Sequence, residues 1–144
     1  MHREGNFSIS GLPEFDHHEW VMWITDAASG LRGCIAIHNS NLGPATGGTR
    51  YWSYASEEEA VRDALRLSRA MTYKCALAGV PFGGGKGVII APKDSQKKPA
   101  ILEAYAKKVE TLQGFFSTGE DIGISLEDVK IMLQHSHHII GKPD

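Results

Sequence analysis

Charge of one sign, cysteine and long apolar runs are all scarce in this sequence of 144 residues. Lysine and arginine number 15 against 17 aspartates and glutamates, a formal net charge of −2. That balance excludes a strongly basic nucleic-acid module and an acidic tail, so no nucleic-acid partner is expected. The two cysteines, Cys34 and Cys75, lie far apart and outside any C-x-x-C pair. They read as small buried hydrophobes, not as a disulfide framework. No run approaches the roughly 18 to 20 apolar residues of a membrane span, and Met1-His2-Arg3-Glu4-Gly5-Asn6 leads into no apolar signal-peptide core. A cytoplasmic protein with no membrane partner is the expectation.

What is present is an ordinary globular balance, 42% hydrophobic and 22% charged, in a chain long enough for one domain that buries roughly 68 to 70% of its unfolded surface. Residues 19–25, with Trp20, Val21, Trp23 and Ile24, and the run Cys34-Ile35-Ala36-Ile37-His38 flank a turn at Ala28-Ser29-Gly30, which predicts a hairpin. A loop rich in Asn, Ser, Gly and Pro covers residues 39–48, and a short strand, Thr49-Arg50-Tyr51-Trp52, follows it. Ser56 and Glu59 have the spacing of a capping box, and Ala60, Ala64, Leu67 and Met71 mark one face of a helix that ends near Gly79, before Pro81. Residues 86–91 read as a strand buried on both faces, and a second helix runs from Pro99 through Leu112. Residues 115–117 read as a strand, Ser125 and Asp128 cap a third helix, and residues 137–140 read as a last strand before Gly141-Lys142-Pro143-Asp144. A hairpin followed by alternating strands and helices predicts an α/β domain, a mixed sheet flanked by helices.

Sixteen glycines are the unusual number. The run Gly79-Val80-Pro81-Phe82-Gly83-Gly84-Gly85-Lys86-Gly87 superficially resembles a phosphate loop, but Val80 and Gly87 stand where G-x-x-x-x-G-K-[ST] needs Gly and Ser or Thr. It also leaves a helix and enters a strand, the reverse of the order that aims a helix N-terminus at phosphate. No G-x-G-x-x-G occurs anywhere, so no dinucleotide site is expected in these residues. Three consecutive glycines can instead expose backbone N–H groups and admit a close neighbour around Lys86. Lys74 lies upstream at the end of the first helix. Two lysines near one pocket suppress each other's charge, which is how a lysine becomes a base near neutral pH. The alternative is a Lys74 that meets a helix C-terminus and a solvated loop residue at Lys86.

Gly119-Glu120-Asp121-Ile122-Gly123 places two carboxylates after a predicted strand, where ligands bind in α/β sheets. An acid beside two lysines makes a proton-transfer site, and a turn of solvated acids is the alternative. Seven histidines include His17-His18 and His135-Ser136-His137-His138, but they lack a carboxylate or thiolate at ligand spacing and do not match H-E-x-x-H. No metal centre is expected.

Together, Leu42-Gly43-Pro44-Ala45-Thr46-Gly47-Gly48-Thr49-Arg50, Met71-Thr72-Tyr73-Lys74, Gly83-Gly84-Gly85-Lys86 and Gly119-Glu120-Asp121-Ile122-Gly123 resemble the amino-terminal segment of the glutamate/leucine/phenylalanine/valine dehydrogenase family. The likeness is nearest to the leucine dehydrogenase branch. It implies oxidative deamination of an L-amino acid to a 2-oxo acid and ammonia, with hydride passed to NAD or NADP. It further implies that Lys74 binds the substrate α-carboxylate, that Lys86 is the low-pKa lysine that activates water, and that Asp121 exchanges protons with the amino nitrogen. Gly47 and Gly48 would line the substrate pocket, with Met71 beside it. At Thr46 the glutamate-specific branch is expected to carry a lysine and the leucine and phenylalanine branches a leucine. Thr46 is neither, and the expected substrates are apolar amino acids. The family's Rossmann domain follows about where this sequence ends. Residues 1–144 are therefore expected to be a substrate-binding and oligomerisation domain, binding no cofactor, inactive alone, and assembling as a homo-oligomer through an apolar surface at Trp20 and Trp23. A stand-alone, non-catalytic amino-acid-binding or assembly module is the alternative.

Overall fold

The computed structural model describes residues 7–141. The opening Met1-His2-Arg3-Glu4-Gly5-Asn6 and the closing Lys142-Pro143-Asp144 lie outside the described residues. The predicted hairpin is present: β1 (Trp20–Asp26) pairs antiparallel with β2 (Leu31–Asn39), Trp20 opposite Ile37 and Asp26 opposite Leu31. Its turn is closed by the Asp26 carboxylate, which accepts from the Ser29 N–H at 3.0 Å, and by Gly30 in the left-handed region.

Two further short strands, β3 (Ala45–Thr46) and β4 (Thr49–Trp52), precede α1 (Glu57–Ala78). The predicted loop over 39–48 therefore hides one strand, β3, too short to leave a periodic signal. The side chain of Ser56 caps α1 by accepting from the Glu59 N–H at 3.1 Å. The Glu59 carboxylate reaches the Ala55 N–H instead of that of Ser56, so the expected reciprocal box is offset by one residue. Glu57, Glu58 and Glu59 in the first turn suit the helix dipole, and Gly79 ends the helix at φ 71°.

β5 (Gly83–Ile90) is the centre of the sheet. It pairs antiparallel with β2 along one edge, and its other edge is shared by β3 and β4, both parallel to it. After α2 (Lys98–Thr111), β6 (Phe116–Ser117) pairs parallel with β3, and α3 (Leu126–Leu133) begins at a reciprocal Ser125–Asp128 box. The predicted last strand reduces to one bridge, Ile139 with Thr118. The result is the expected mixed α/β sheet flanked by helices.

Strand alternation divides the core into two layers. Ile35, Ile37 and Ile89 point toward α2 and α3, where they meet Ile101, Leu102, Tyr105, Val109, Val129 and Met132. Cys34, Ala36 and Val88 point toward α1, where they meet Ala60, Val61, Ala64 and Leu65, and Leu12 closes this layer from the amino-terminal side. Trp23 is half-buried against it, while Trp20 is exposed and sits edge-on to Phe115. Among the described residues no helix is long and apolar enough to cross a membrane.

The α1 layer relies on small side chains, and of Gly83, Gly84 and Gly85 it is Gly84 that completes it, while Gly85 faces the Phe116 ring. All three lie inside β5, not in a loop, and none has positive φ. The expectation that they open the backbone to a ligand is therefore corrected, because their neighbour is the protein itself. A Cβ at Gly84 would collide with the Thr72 backbone nitrogen and the Ser68 carbonyl of α1. Gly84→Ala must then lift α1 off the sheet, and it is expected to destabilise by about 3 kcal/mol, at the upper end of overpacking costs. Gly79→Ala meets no atom within 4 Å and pays only left-handed strain, about 1–2 kcal/mol. Urea unfolding of both variants checks the order, and an equal loss would show that α1 does not rest on Gly84.

Candidate active site

The segment from Ala45 to Trp52 lies along one edge of β5 as two strands interrupted by Gly47-Gly48. The interruption is where three elements converge. A side chain at Gly48 would come within 2.7 Å of the Glu120 carbonyl and 3.0 Å of the Asp121 Cβ. One at Gly47 would strike the Gly85 carbonyl and come within 3.3 Å of the Met71 side chain. The loop after β6 is held here by backbone bonds, from the Thr49 N–H to the Gly119 carbonyl at 2.9 Å and from the Tyr51 N–H to the Ile122 carbonyl at 2.9 Å.

Two of the predicted catalytic residues meet across this junction. Lys86 is 7% exposed on β5, and its Nζ lies 2.5 Å from Asp121 Oδ2. Neither the solvated lysine nor the turn of solvated acids describes them. Burial pushes the Asp121 carboxyl upward, but hydrogen bonds from Lys86 and the Ile122 backbone, with the charges of Lys86 and Arg50, outweigh it and hold it below the ordinary aspartate value. Lys86 thus faces a carboxylate. Lys74, expected to modulate it, is exposed on α1 and makes no ion pair among the described residues.

Sequence reasoning missed the second row of charges. Arg50 Nε donates to Asp121 Oδ2 at 3.3 Å, and its Nη1 donates to Asp63 Oδ2 at 3.3 Å. The Tyr54 hydroxyl donates to the same Asp63 oxygen at 2.6 Å, and Arg66 takes the other oxygen at 2.6 Å. Burial and the Asp63 carboxylate push the Tyr54 hydroxyl well above the usual phenol range. The available signal was Arg50 itself, inside a motif quoted for its glycines, and Asp63, which stands between Arg62 and Arg66 on α1.

Thr46, Gly47, Gly48 and Met71 come together, lining a cleft of about 260 Å³ with Gly119, Glu120, Ile140 and Gly141. Lys74 is not part of its wall. A wider hollow of about 540 Å³ is bordered by Arg50, Asp63, Trp52, Tyr54, Arg62 and Arg66. Its arginines are already paired, Arg62 with Glu14 and the other two with Asp63.

The histidines find carboxylates that spacing alone did not reveal, because the partners are distant in sequence. His38 bridges Asp16 at 2.9 Å and Thr72 at 2.8 Å. His18 accepts from the Asp16 N–H, so its Nε2 donates to the Leu65 carbonyl at 2.8 Å, and burial lowers its pKa. Glu110, held at about 2 by its bonds to His137 and Ser136, ties down the other cluster. Among the described residues no three His, Cys, Asp or Glu side chains converge as metal ligands. Cys34 is buried and its thiol is pushed up to about 12, while Cys75 is buried and unbridged.

The fold and this junction define a mixed α/β domain built around a buried lysine paired with a partly buried aspartate, beside a glycine-walled cleft. The family model of the Glu/Leu/Phe/Val dehydrogenase dimerisation domain matches residues 18–141, and the chain belongs to that family. It is 45% identical over 128 residues to the phenylalanine dehydrogenase of Lysinibacillus sphaericus, covering 89% of this chain and 34% of that protein. It is 47% identical over 124 residues to the leucine dehydrogenase of Geobacillus stearothermophilus, covering 86% and 34%. The crystal structure of L-tryptophan dehydrogenase from Nostoc punctiforme superposes with a TM-score of 0.80 at 44% identity, over 85% of this chain and 36% of that one. The chain spans about a third of the length of the curated relatives it matches.

The lowered pKa of Asp121 carries a sign. Its stabilising contribution is fully present above the unfolded aspartate value of about 3.9 and is lost as pH falls through the lower folded value. Asp121→Asn is expected to cost about 1–3 kcal/mol at pH 7, since it leaves Lys86 and Arg50 without their shared carboxylate. The gap from wild type closes as the wild-type carboxyl itself protonates. Urea unfolding at pH 7 and across the acid range checks this, and a gap that widens in acid would contradict the ion pair.

Proposed function

We propose that this chain is the substrate-binding and oligomerisation domain of an NAD- or NADP-dependent dehydrogenase that converts apolar L-amino acids to 2-oxo acids and ammonia. The observation that carries this reading is the buried Lys86 paired with the partly buried Asp121 beside the cleft walled by Thr46, Gly47, Gly48 and Met71. The names of its relatives, which are phenylalanine, leucine and L-tryptophan dehydrogenases, support the substrate class.

In this reading Lys74, an exposed cation without an ion-pair partner among the described residues, binds the α-carboxylate. In its neutral amine form Lys86 takes a proton from the attacking water, and Asp121 Oδ2, already in contact with it, exchanges a proton with the amino nitrogen. Gly47 and Gly48 line the pocket where β5 and the loop after β6 close up beside it, Met71 gives an apolar wall, and Thr46 faces the side chain. The reaction would need a nicotinamide as hydride acceptor, and these residues do not fit one. The glycine run that might cradle its phosphates is packed against α1 and the Phe116 ring. The proposed domain therefore binds no cofactor by itself and is inactive alone. For assembly, β1 is an edge strand with one neighbour among the described strands and carries the exposed Trp20, a surface suited to a second copy.

In a complete enzyme carrying this domain, Lys86→Ala is expected to lower kcat by about 10²–10⁴-fold with the fold intact, since it removes a group acting in the transition state. Lys74→Ala is expected chiefly to raise KM, since it removes an anchor present throughout. Steady-state kinetics of both variants test the assignment, and equal losses confined to kcat would reverse it.

Substrate choice follows from Thr46. A glutamate side chain brings a second carboxylate, which needs a cationic partner when it leaves water, and Thr46 offers only a hydroxyl. A panel of L-amino acids assayed with the complete enzyme is expected to rank leucine, valine or an aromatic above glutamate in kcat/KM. Glutamate in first place would refute the reading of Thr46.

A further inference from the structure

We propose that Arg50 and Asp63 act as an electrostatic counterweight to the Lys86–Asp121 pair, with Arg50 a positioning residue that holds Asp121 ionised and correctly turned. The link to catalysis rests on the functional reading above, whereas the counterweight itself does not.

The geometry has a simple order. From β5 outward the charges alternate: Lys86 positive, Asp121 negative, Arg50 positive, Asp63 negative, Arg66 positive, each bonded to the next at 2.5, 3.3, 3.3 and 2.6 Å. The inner side chains are largely buried, Arg50 at 18%, Asp63 at 15% and Asp121 at 22% exposure, while Arg66 at 60% meets water. Asp121 Oδ2 receives two cations, one more than its charge requires. Asp63 balances the surplus by taking Nη1 of the same guanidinium, and the Tyr54 hydroxyl and Arg66 fill the rest of Asp63. These are the groups that face the pair from β4, the segment after it and α1, and Glu120 is the adjoining carboxylate on the cleft wall.

Arginine suits this place for two reasons. Its fork lets Nε and Nη1 bridge two carboxylates, which the point charge of a lysine cannot do with fixed geometry. It also never gives up its proton, so it can hold Asp121 without becoming an exit for the protons that Asp121 carries. Proton traffic is then confined to Lys86 and Asp121. Alternation makes the two neighbours opposite in effect: neutralising Arg50 makes Asp121 harder to ionise, whereas neutralising Asp63 leaves the guanidinium undivided and does not. A purely structural role has no such sign.

The test is a carboxyl ¹³C NMR titration of Asp121 in this chain, with circular dichroism to identify unfolded variants. In Arg50→Met the midpoint is expected to rise by about one pH unit. In Asp63→Asn it stays at or below the wild-type value, and in Arg50→Lys, which keeps the charge, it stays near it. A rise in both Arg50→Met and Asp63→Asn, or no change in a folded Arg50→Met, overturns the proposal. Where Arg50→Met does not fold, a rise in Arg50→Lys or Asp63→Asn overturns it, and their unshifted midpoints support it. In the complete enzyme the acidic limb of the kcat/KM profile is expected to move with these midpoints, and Arg50→Lys to lose kcat while keeping its pH profile. A wild-type complete enzyme without amino acid dehydrogenase activity would remove the functional reading and leave the titrations to judge the counterweight.

Discussion

The close approach of α1 to β5 is the constraint on which the rest of the structure depends. Two layers of helices cover the sheet, but they are not equivalent. The α2 and α3 face is filled by isoleucines, Leu102, Tyr105 and Phe116, whereas the α1 face uses Ala36, Ala60, Ala64 and glycine. Small residues bring the helix nearer, so dispersion contacts come from backbone and Cβ atoms instead of long side chains. A strand with almost no side chains at its start then delivers one long side chain, Lys86, at the end of the glycine run. Because Gly84 leaves no space to fill and Val88 is sealed by α1, the ammonium has one direction in which to find a partner, along the edge where Gly48 lets Asp121 approach.

Burying an ion pair costs solvation that its mutual attraction repays only when every remaining polar site is satisfied. Asp63 meets this condition with both oxygens occupied, Asp121 gathers two cations on Oδ2, and the row of charges ends at the exposed Arg66. The arrangement resists removal of any single member more than it resists exchange of the whole. That favours persistence of the set as a unit, on β5, β4, α1 and the loop after β6 that backbone bonds tie to β4.

Elements with their own periodicity or caps were legible in the sequence. The hairpin, β4, α1 with its Ser56 cap and Gly79 end, α2 and α3 all stand close to where the residue pattern places them. What failed was short or tertiary in origin. β3 has two residues and exists because β5 and β6 hold it on either side. The glycine run looked like a loop because glycine has little intrinsic strand preference, and only packing against α1 makes it a strand. At the site, Lys86 with Asp121 and the Thr46–Gly48 cleft followed from the motifs. The Arg50–Asp63 contact did not, because α1 gives Asp63 the look of any solvated acid and only the fold sets it against β4. The histidines failed for the same reason, since Asp16 reaches His38 from 22 residues away in the chain.

Thr46 occupies a different kind of position from the charged pair. Its backbone is fixed on both sides, opposite Gly84 in β5 and Ser117 in β6, while its side chain borders the cleft. A change of side chain there alters the shape and polarity of the cleft without moving the strands that carry Lys86 or the loop that carries Asp121. On the proposed function, the chemistry and the choice of substrate would then be mechanically separate, one set by residues held by the sheet and the loop after β6, the other by residues whose side chains only meet the cavity. Proteins named phenylalanine, leucine and L-tryptophan dehydrogenase match this chain at 45%, 47% and 44% identity, so identity of the frame does not rank their substrates for it. An apolar side chain differing by a methylene changes preference by only about 1–3 kcal/mol, whereas an unpaired carboxylate leaving water costs several. Under the proposed function, the frame would separate charged from apolar substrates sharply and apolar ones from each other weakly, and the individual preference would come from residues around Thr46 and not from the buried charges.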